Sequence, residues 1–465
     1  LFITLNMKVG LIWATSREGL IGDSLGLPWR CQADLKHFRA IIKGQVVIVG
    51  YRTFKSLPPL PFSHMVIVKP RDEVRLYPND NMHFVETPWN AYDTARELVE
   101  GTDKEAYVIG GGKMYNFFID RMYGFISKLV VSIIDDKLVT QNPSRPVYLN
   151  PDLSQFKRIS NQQRAGFRLE EWVPRYPRTL FEAKYTGVVS VALNEGHDRL
   201  GRNGYTRGVF GRHIDIDLRH GFPLMSHKKM FMRGIIEELL FFLRGDTQTK
   251  VLADKGVNIW KGNTSQEFLE QNDKTHLKPG EMGPMYGYQF RHFNKPWGEA
   301  EGGVDQLANV VRLIRTSPTS RRIMMTTYNP AQAEEGVLYP CHSIVLQFYV
   351  EGKFIDVYCY NRSSDLILGL PFNIASTSLL LLIIAQMTGK IARRVILSLG
   401  DCHIYESHMG AAKQLLDRSH STESCYVFIN RPIRTVKDIN NLKYTDFILW
   451  NYKHRGPPIK VSMIP

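Results

Sequence analysis

Two domains are predicted, an α/β unit followed by a larger α+β unit, and three observations carry the prediction. The chain has 465 residues, more than one ordinary hydrophobic core serves. Short apolar runs alternate with helical patterns through its first third, as α/β units do. After a Tyr-Pro-Arg punctuation at 176–178 the character changes, and loops rich in glycine, arginine and aromatics alternate with longer strands and helices. The boundaries drawn are 1–176, a linker over 177–184, and 185–465.

In the first domain, Lys8 to Ala14 reads as a strand, and Asp34, Leu35, Phe38 and Ile42 have helical spacing with a carboxylate in the first turn. Gln45 to Gly50, Met65 to Val68 and Ala106 to Ile109 read as further strands. The last runs into Gly110, Gly111 and Gly112 and a helix from Met114, a strand–glycine–helix order that suits phosphate binding, although such clusters are often only tight turns. Gly166 to Pro174 reads as the closing strand.

In the second domain, Asp198 to Gly211 reads as a glycine and arginine loop able to clasp a phosphate, or merely to turn. Alternation follows over His213 to Leu218, then a helix over Gly234 to Leu243 holding Glu237 and Glu238. Gly283 to Arg291 is an aromatic loop able to stack on flat rings. Arg321 and Arg322 stand at an expected strand start, where adjacent side chains face opposite ways. Cys341 follows a proline at the mouth of the apolar run Ser343 to Val350. It reads as a nucleophile if a cation favours its thiolate, and otherwise as a small buried hydrophobe. His342 beside it should point away from the thiol.

Lys and Arg number 59 against 45 Asp and Glu, and this surplus of +14 attracts anions. It is spread over the chain and not gathered into a stripe, so small anionic ligands fit better than nucleic acid, and no specific nucleic acid is expected. Five cysteines form no CxxC pair, which points to a reducing, cytoplasmic setting and gives no metal site. Leu379 to Ala385 is too short an apolar run to span a bilayer, so no membrane partner is expected. The apolar start, Leu1 to Ala14, lacks a small-residue cleavage site and is expected to be a strand, not a signal peptide.

Residues 8 to 175 resemble dihydrofolate reductase, through Ile21-Gly22, Leu27-Pro28-Trp29, Asp34, Phe38, Gly50 with Thr53, and Val108 to Gly112 with Tyr115. The resemblance implies a central sheet with flanking helices. It also implies Asp34 as the acid that grips the pterin and supports protonation at nitrogen 5, with Ile12, Trp29, Leu35 and Phe38 as pterin walls. Ala14, Thr53, Gly110, Gly111, Gly112 and Tyr115 would line NADPH, with Arg52, Lys69 and Arg71 as candidates for its extra phosphate. One departure stands out: Phe62, Ser63 and His64 occupy the place where the family has glycine and then an arginine for the folate-tail carboxylate. Ser132 replaces a threonine that supports the acid.

Residues 185 to 465 resemble thymidylate synthase at nearly every motif: the loop at 198–211, Gly283 to Arg291, Tyr339 to His342, Asn361 to Asp365, Gly369 to Ser376 and Gly400 to Tyr405. The implied fold is a mixed sheet packed with helices. Cys341 would attack carbon 6 of dUMP, with Arg362 favouring its thiolate. Arg202 (or Arg199), Arg321, Arg322, Arg362 and Ser363 would hold the phosphate, Asn373 the uracil edge, and His403 and Tyr405 the ribose. Glu238 would move protons through water. Trp260 would stack on the folate, and Tyr286 and Asp365 would position it and assist proton removal. Arg321 and Arg322 would reach the partner's site in a homodimer formed through this domain. Asn361 stands where glutamine is usual.

The two halves together resemble the fused reductase and synthase enzymes of protists and some large viruses. That implies dUMP, folates, methylenetetrahydrofolate as co-substrate and NADPH as cofactor, and no metal. An alternative keeps the synthase and reduces the first domain to a binding or dimer-stabilising module, on the strength of Ser63.

Overall fold

The computed structural model describes residues 7–23, 26–69, 80–140, 143–175, 181–299, 302–418, 424–457, 459 and 461–462. The chain divides into two compact units, Leu1–Thr179 and Leu180–Pro465. Tyr176, Pro177 and Arg178, read as linker, and Arg71 lie outside the described residues.

The first unit is built on an eight-stranded sheet. β1 (Val9–Thr15), β2 (Val46–Gly50), β3 (His64–Val68), β4 (Met82–Val85), β5 (Ala106–Gly110) and β6 (Ile126–Ile134) run parallel in the order β4-β3-β2-β5-β1-β6. β7 (Phe156–Arg164) and β8 (Phe167–Pro174) add an antiparallel hairpin, with β8 against β6. The central strands β2 and β5 are apolar runs buried nearly throughout, as strands covered on both faces must be. Helices α1 (Gln32–Ile42), α2 (Pro88–Val99) and α3 (Gly112–Arg121) supply the cover. α2 starts where the sequence chemistry puts a start: Thr87 accepts a bond from the Asn90 amide and Pro88 follows it. β7 has no counterpart in the sequence reading, because its run KRISNQQR is a solvated edge without apolar alternation.

The second unit holds a six-stranded mixed sheet in the order β9-β10-β14-β13-β12-β11. Its strands are β9 (His197–Gly201), β10 (Gly204–Asp217), β11 (Met324–Thr326), β12 (Val345–Glu351), β13 (Phe354–Asp365) and β14 (Ile391–Tyr405). Only β13 and β14 pair in parallel. Among its helices are α4 (Phe181–Glu195), α5 (Met232–Arg244), α6 (Gly287–His292) and α8 (Gly369–Thr388), with α7 (Gln306–Thr316) between the last two. α8 is apolar on all sides, and Leu379, Leu381, Ile383 and Ile384 within it are fully buried.

Four readings change. The apolar run at 379–385 lies inside a 20-residue helix long and apolar enough to cross a membrane, but one buried for the most part, as a core helix is. The supposed phosphate loop at 198–211 is mostly a hairpin, β9 and β10, turning at Arg202 and Asn203; its glycines hid the alternation. Arg321 and Arg322 sit in a turn before β11, not in a strand. Cys341 and His342 also precede their strand, β12, and Ser343 between has φ 54°. Gly287 is a packing requirement, since a Cβ there would fall 2.6 Å from the Phe242 backbone on α5.

Candidate active sites

In the second unit the ends of β13 and β14 meet the β9–β10 turn. Their register sets Ser363 beside Asp401 and Asp365 beside His403, while β10 sets Thr206 beside Tyr405. A cavity of about 370 Å3 opens there, lined by Arg199, Arg202, Asn203, Arg362, Ser363, Asp401, His403 and Tyr405, among others. Three guanidinium groups in one cavity make it a receptor for an anion.

Cys341 reaches this region through its neighbours. Arg362 Nε donates to the Pro340 carbonyl at 2.7 Å and Nη2 to that of Tyr339 at 3.3 Å, so the guanidinium is clamped to the residues just before the thiol. The Ser363 amide donates to the Cys341 carbonyl at 3.3 Å. On the other side the Tyr286 hydroxyl lies 3.4 Å from Cys341 Sγ and accepts from the Cys341 amide at 3.2 Å. Burial pushes the thiol up, while the Tyr286 bond and the Arg362 charge pull it down.

The His342 ring stacks on Tyr286 with centroids 4.4 Å apart, its Nδ1 lies 3.2 Å from Ser343 Oγ, and burial depresses it to about 4, which makes it a weak base. The sequence reading turns it away from the thiol, and the structure gives its ring the Tyr286 stack as a partner.

Glu238 on α5 accepts from the Trp260 indole at 2.8 Å, and burial raises its carboxyl to about 7 despite that bond. Trp260, expected as a stacking platform, is here the partner that holds the acid; its ring centroid lies 6.1 Å from that of Tyr286. Glu237 faces Lys255 at 2.6 Å and belongs to a separate ion pair. Asp365 caps the turn into α8, accepting from the Ile367 and Leu368 amides at 2.9 and 3.2 Å. The buried Lys228 ammonium donates to the Ile367 carbonyl at 2.7 Å and fixes the same turn. Asn373 is half-buried on α8, outside the cavity lining. Arg321 and Arg322 are exposed and also outside it.

Three contributors were missed. Asp401 accepts from His403 Nδ1 at 3.0 Å and from Arg199 at 3.1 Å, and its two-residue spacing from His403 on one strand was a usable signal. Asn203 bonds the Tyr405 hydroxyl. Asn361, fully buried, accepts from the Ser343 amide at 2.9 Å and so shapes the turn after the thiol. Arg202 donates to the neutral Asn272 amide at 3.2 Å.

In the first unit Asp34 is 8% exposed in the first turn of α1, raised by burial and opposed by a bond from the Ser132 hydroxyl. Ile12 and Trp29 lie in one apolar cluster against which Ala14 and Phe38 pack. Leu35 is 39% exposed and stands outside that cluster. The Trp29 indole N–H is buried without a partner among the described residues. Tyr115, expected on NADPH, donates to the Ile12 carbonyl at 2.7 Å. A Cβ at Gly111 would fall 2.6 Å from Thr53 Oγ1, and one at Gly110 2.9 Å from Thr53 Cγ2. Thr53 thus packs directly on the Gly110–Gly111 backbone at the start of α3 and leaves no room for a side chain there. Arg52 is exposed, and Lys69 Nζ lies 5.7 Å from the Tyr51 ring centroid. Ser63 Oγ donates to the Gln45 carbonyl at 3.0 Å.

A family model described as dihydrofolate reductase matches residues 8–166, and one described as thymidylate synthase matches 183–465. A bifunctional dihydrofolate reductase-thymidylate synthase of Paramecium tetraurelia is 30% identical over 97% of each chain. The protein of that name from Daucus carota is 30% identical over 97% of this chain and 94% of its own. The thymidylate synthase of varicella-zoster virus (strain Dumas) is 39% identical over 61% of this chain and 94% of its own.

Proposed function

The chain belongs to the bifunctional dihydrofolate reductase-thymidylate synthase family, and from that premise we propose how its residues carry the two reactions. One part methylates dUMP to dTMP with methylenetetrahydrofolate as carbon donor and reductant; the other reduces dihydrofolate to tetrahydrofolate with NADPH. We divide the work between residues 1–176 and 185–465, joined over 177–184. Nothing in the described geometry favours a first unit kept only for binding, since Asp34 stays buried with Ser132 against it.

The observation that carries the synthase reading is the Tyr286 hydroxyl on Cys341, with Arg362, which lines the arginine-rich cavity, held to the two residues just before the thiol. The thiol adds to carbon 6 of dUMP and so makes carbon 5 nucleophilic. Arg362, Arg202 and Ser363 take the phosphate. Arg202 is favoured over Arg199, because Arg199 is already paired with Asp401 while Arg202, among the described residues, donates to a neutral amide. Asp401 fixes the His403 ring, which with Tyr405 takes the ribose hydroxyl. Asn373 reads the uracil edge. Glu238, with a carboxyl titrating at about 7, can hold or release a proton at working pH and relays it through water. Trp260, Tyr286 and Asp365 position the folate.

In the reductase part, Asp34 grips the pterin amino group and ring nitrogen and raises the basicity of nitrogen 5, with Ile12, Trp29, Leu35 and Phe38 as walls. NADPH supplies the hydride when bound. Gly110, Gly111 and Gly112 with Thr53, Ala14 and Tyr115 would hold it, and Arg52 and Lys69 would face its extra phosphate.

Arg321 and Arg322 belong to a partner subunit's phosphate site in a homodimer formed through the synthase unit. Their exposure, and the exposed aromatics Phe210 and Tyr349 on the six-stranded sheet, support this. Five cysteines with no CxxC pair among them suit a reducing cytoplasm. The direct test assays dTMP formation and NADPH oxidation on wild type, Cys341→Ser and Asp34→Asn.

A further inference from the structure

Two of the three guanidinium groups at the anion cavity are anchored in its walls, Arg199 on Asp401 and Arg362 on the Tyr339 and Pro340 carbonyls. Arg202 stands at the tip of the β9–β10 turn, exposed, with the rotamer freedom of a long side chain to lose when it grips a ligand. Its Nη1 donates to Asn272 Oδ1 at 3.2 Å.

Asn272 is a fixed acceptor. It ends the short helix Gln266–Gln271, whose start Ser265 caps by accepting from the Phe268 amide at 3.2 Å. The Asn272 side-chain Nδ2 donates to the Phe268 carbonyl at 2.9 Å, and its backbone amide donates to the same oxygen at 3.1 Å. An amide turned over would set two carbonyl oxygens together and press an NH2 group on a guanidinium. These two neighbours therefore leave one orientation, with the oxygen toward Arg202. Asp273, at φ 56°, and the Lys274 amide, which donates to the Leu269 carbonyl at 2.8 Å, close the helix end.

The segment beyond is tied to the wall that carries Arg362. Lys274 Nζ donates to the Glu334 carbonyl, and His276 Nε2 lies 2.9 Å from the Glu335 carbonyl. The Glu334 carboxylate accepts from the Tyr339 hydroxyl at 2.6 Å, and the Tyr339 carbonyl accepts from Arg362. A connected path thus runs from Arg202 through Asn272, Lys274, Glu334 and Tyr339 to Arg362, and both arginines hang on one frame.

We infer that Asn272 is a positioning residue for dUMP, holding the Arg202 guanidinium at the cavity before the phosphate arrives. This rests on reading Arg202 as a phosphate ligand. A neutral amide suits the task, because a carboxylate there would pair with the guanidinium and compete with the phosphate. One acceptor also leaves most of the guanidinium donors for the ligand. The side chain gives up its freedom before binding, so loss of Asn272 appears in KM and not in kcat.

The test is a double-mutant cycle on the full chain, with KM and kcat for dTMP formation from dUMP in wild type, Asn272→Ala, Arg202→Gln and the double variant. The rate of Cys341 alkylation by iodoacetamide reports whether the site is intact. Asn272→Ala raises KM for dUMP about fivefold, with kcat within about twofold and the alkylation rate unchanged. Added to Arg202→Gln, it moves KM by less than about twofold. An unchanged KM in Asn272→Ala, or the same rise with and without Arg202, overturns the inference. A raised KM with an altered alkylation rate overturns it too, and makes Asn272 a structural residue. If Arg202→Gln leaves KM for dUMP at the wild-type value, the phosphate reading of Arg202 fails first and the inference falls with it.

Discussion

The Trp260 indole donates to Glu238 at 2.8 Å, and the carboxyl it holds titrates at about 7 because burial outweighs that bond. Trp260→Phe removes the one contact that favours the carboxylate, so the pKa moves further up, by about one unit for a charge-assisted bond. The pH profile of kcat for dTMP formation reads this, with the limb near 7 displaced to higher pH. The sign extends to stability. Between the unperturbed 4.5 and about 7 the folded chain holds more protons at Glu238 than the unfolded chain. The group's contribution is therefore most favourable below 4.5 and is lost as pH rises through 7.

Tyr286→Phe removes the hydroxyl that bonds both the amide and the sulfur of Cys341. The thiol pKa then rises, and at fixed pH the rate of alkylation by iodoacetamide falls severalfold, the loss of about one hydrogen bond. His342→Ala removes a weak base and leaves the pH dependence of alkylation in place.

Ser132→Ala takes away the bond that opposes the burial of Asp34. The Asp34 pKa, already raised, rises again, and the acid limb of kcat/KM for dihydrofolate moves to higher pH. An unmoved limb would mean that Ser132 does not support the acid.

Arg202→Gln should raise KM for dUMP at least tenfold, the cost of a charge-assisted phosphate contact. Arg199→Gln should raise it less, because that guanidinium acts through Asp401 and His403. The reverse ranking would exchange their roles.

Much of this was legible in the sequence, for physical reasons that differ by element. β2 and β5 announced themselves because strands buried on both faces are continuous apolar runs. β7 did not, because an exposed edge strand carries no apolar alternation. Cys341, Arg362, Ser363, His403 and Tyr405 could be nominated from ordered motifs, and the fold brings them to one region. What the sequence could not give was contact across distance. That Tyr286 touches the sulfur 55 residues on, that Asn361 holds the Ser343 amide, and that Arg202 meets Asn272 are products of chain reversal, not of spacing. Asp401 was the exception, readable two residues from His403 and passed over.

The central claim is that two separate sets of residues run two reactions in one chain, and paired assays on two variants test it most directly. Cys341→Ser should lower dTMP formation by at least about a thousandfold, as loss of a covalent nucleophile does, with NADPH oxidation unchanged. Asp34→Asn should lower NADPH oxidation by about a hundredfold or more and leave dTMP formation intact. Substantial dTMP formation by Cys341→Ser, or dihydrofolate reduction by Asp34→Asn at the wild-type rate, would contradict the account.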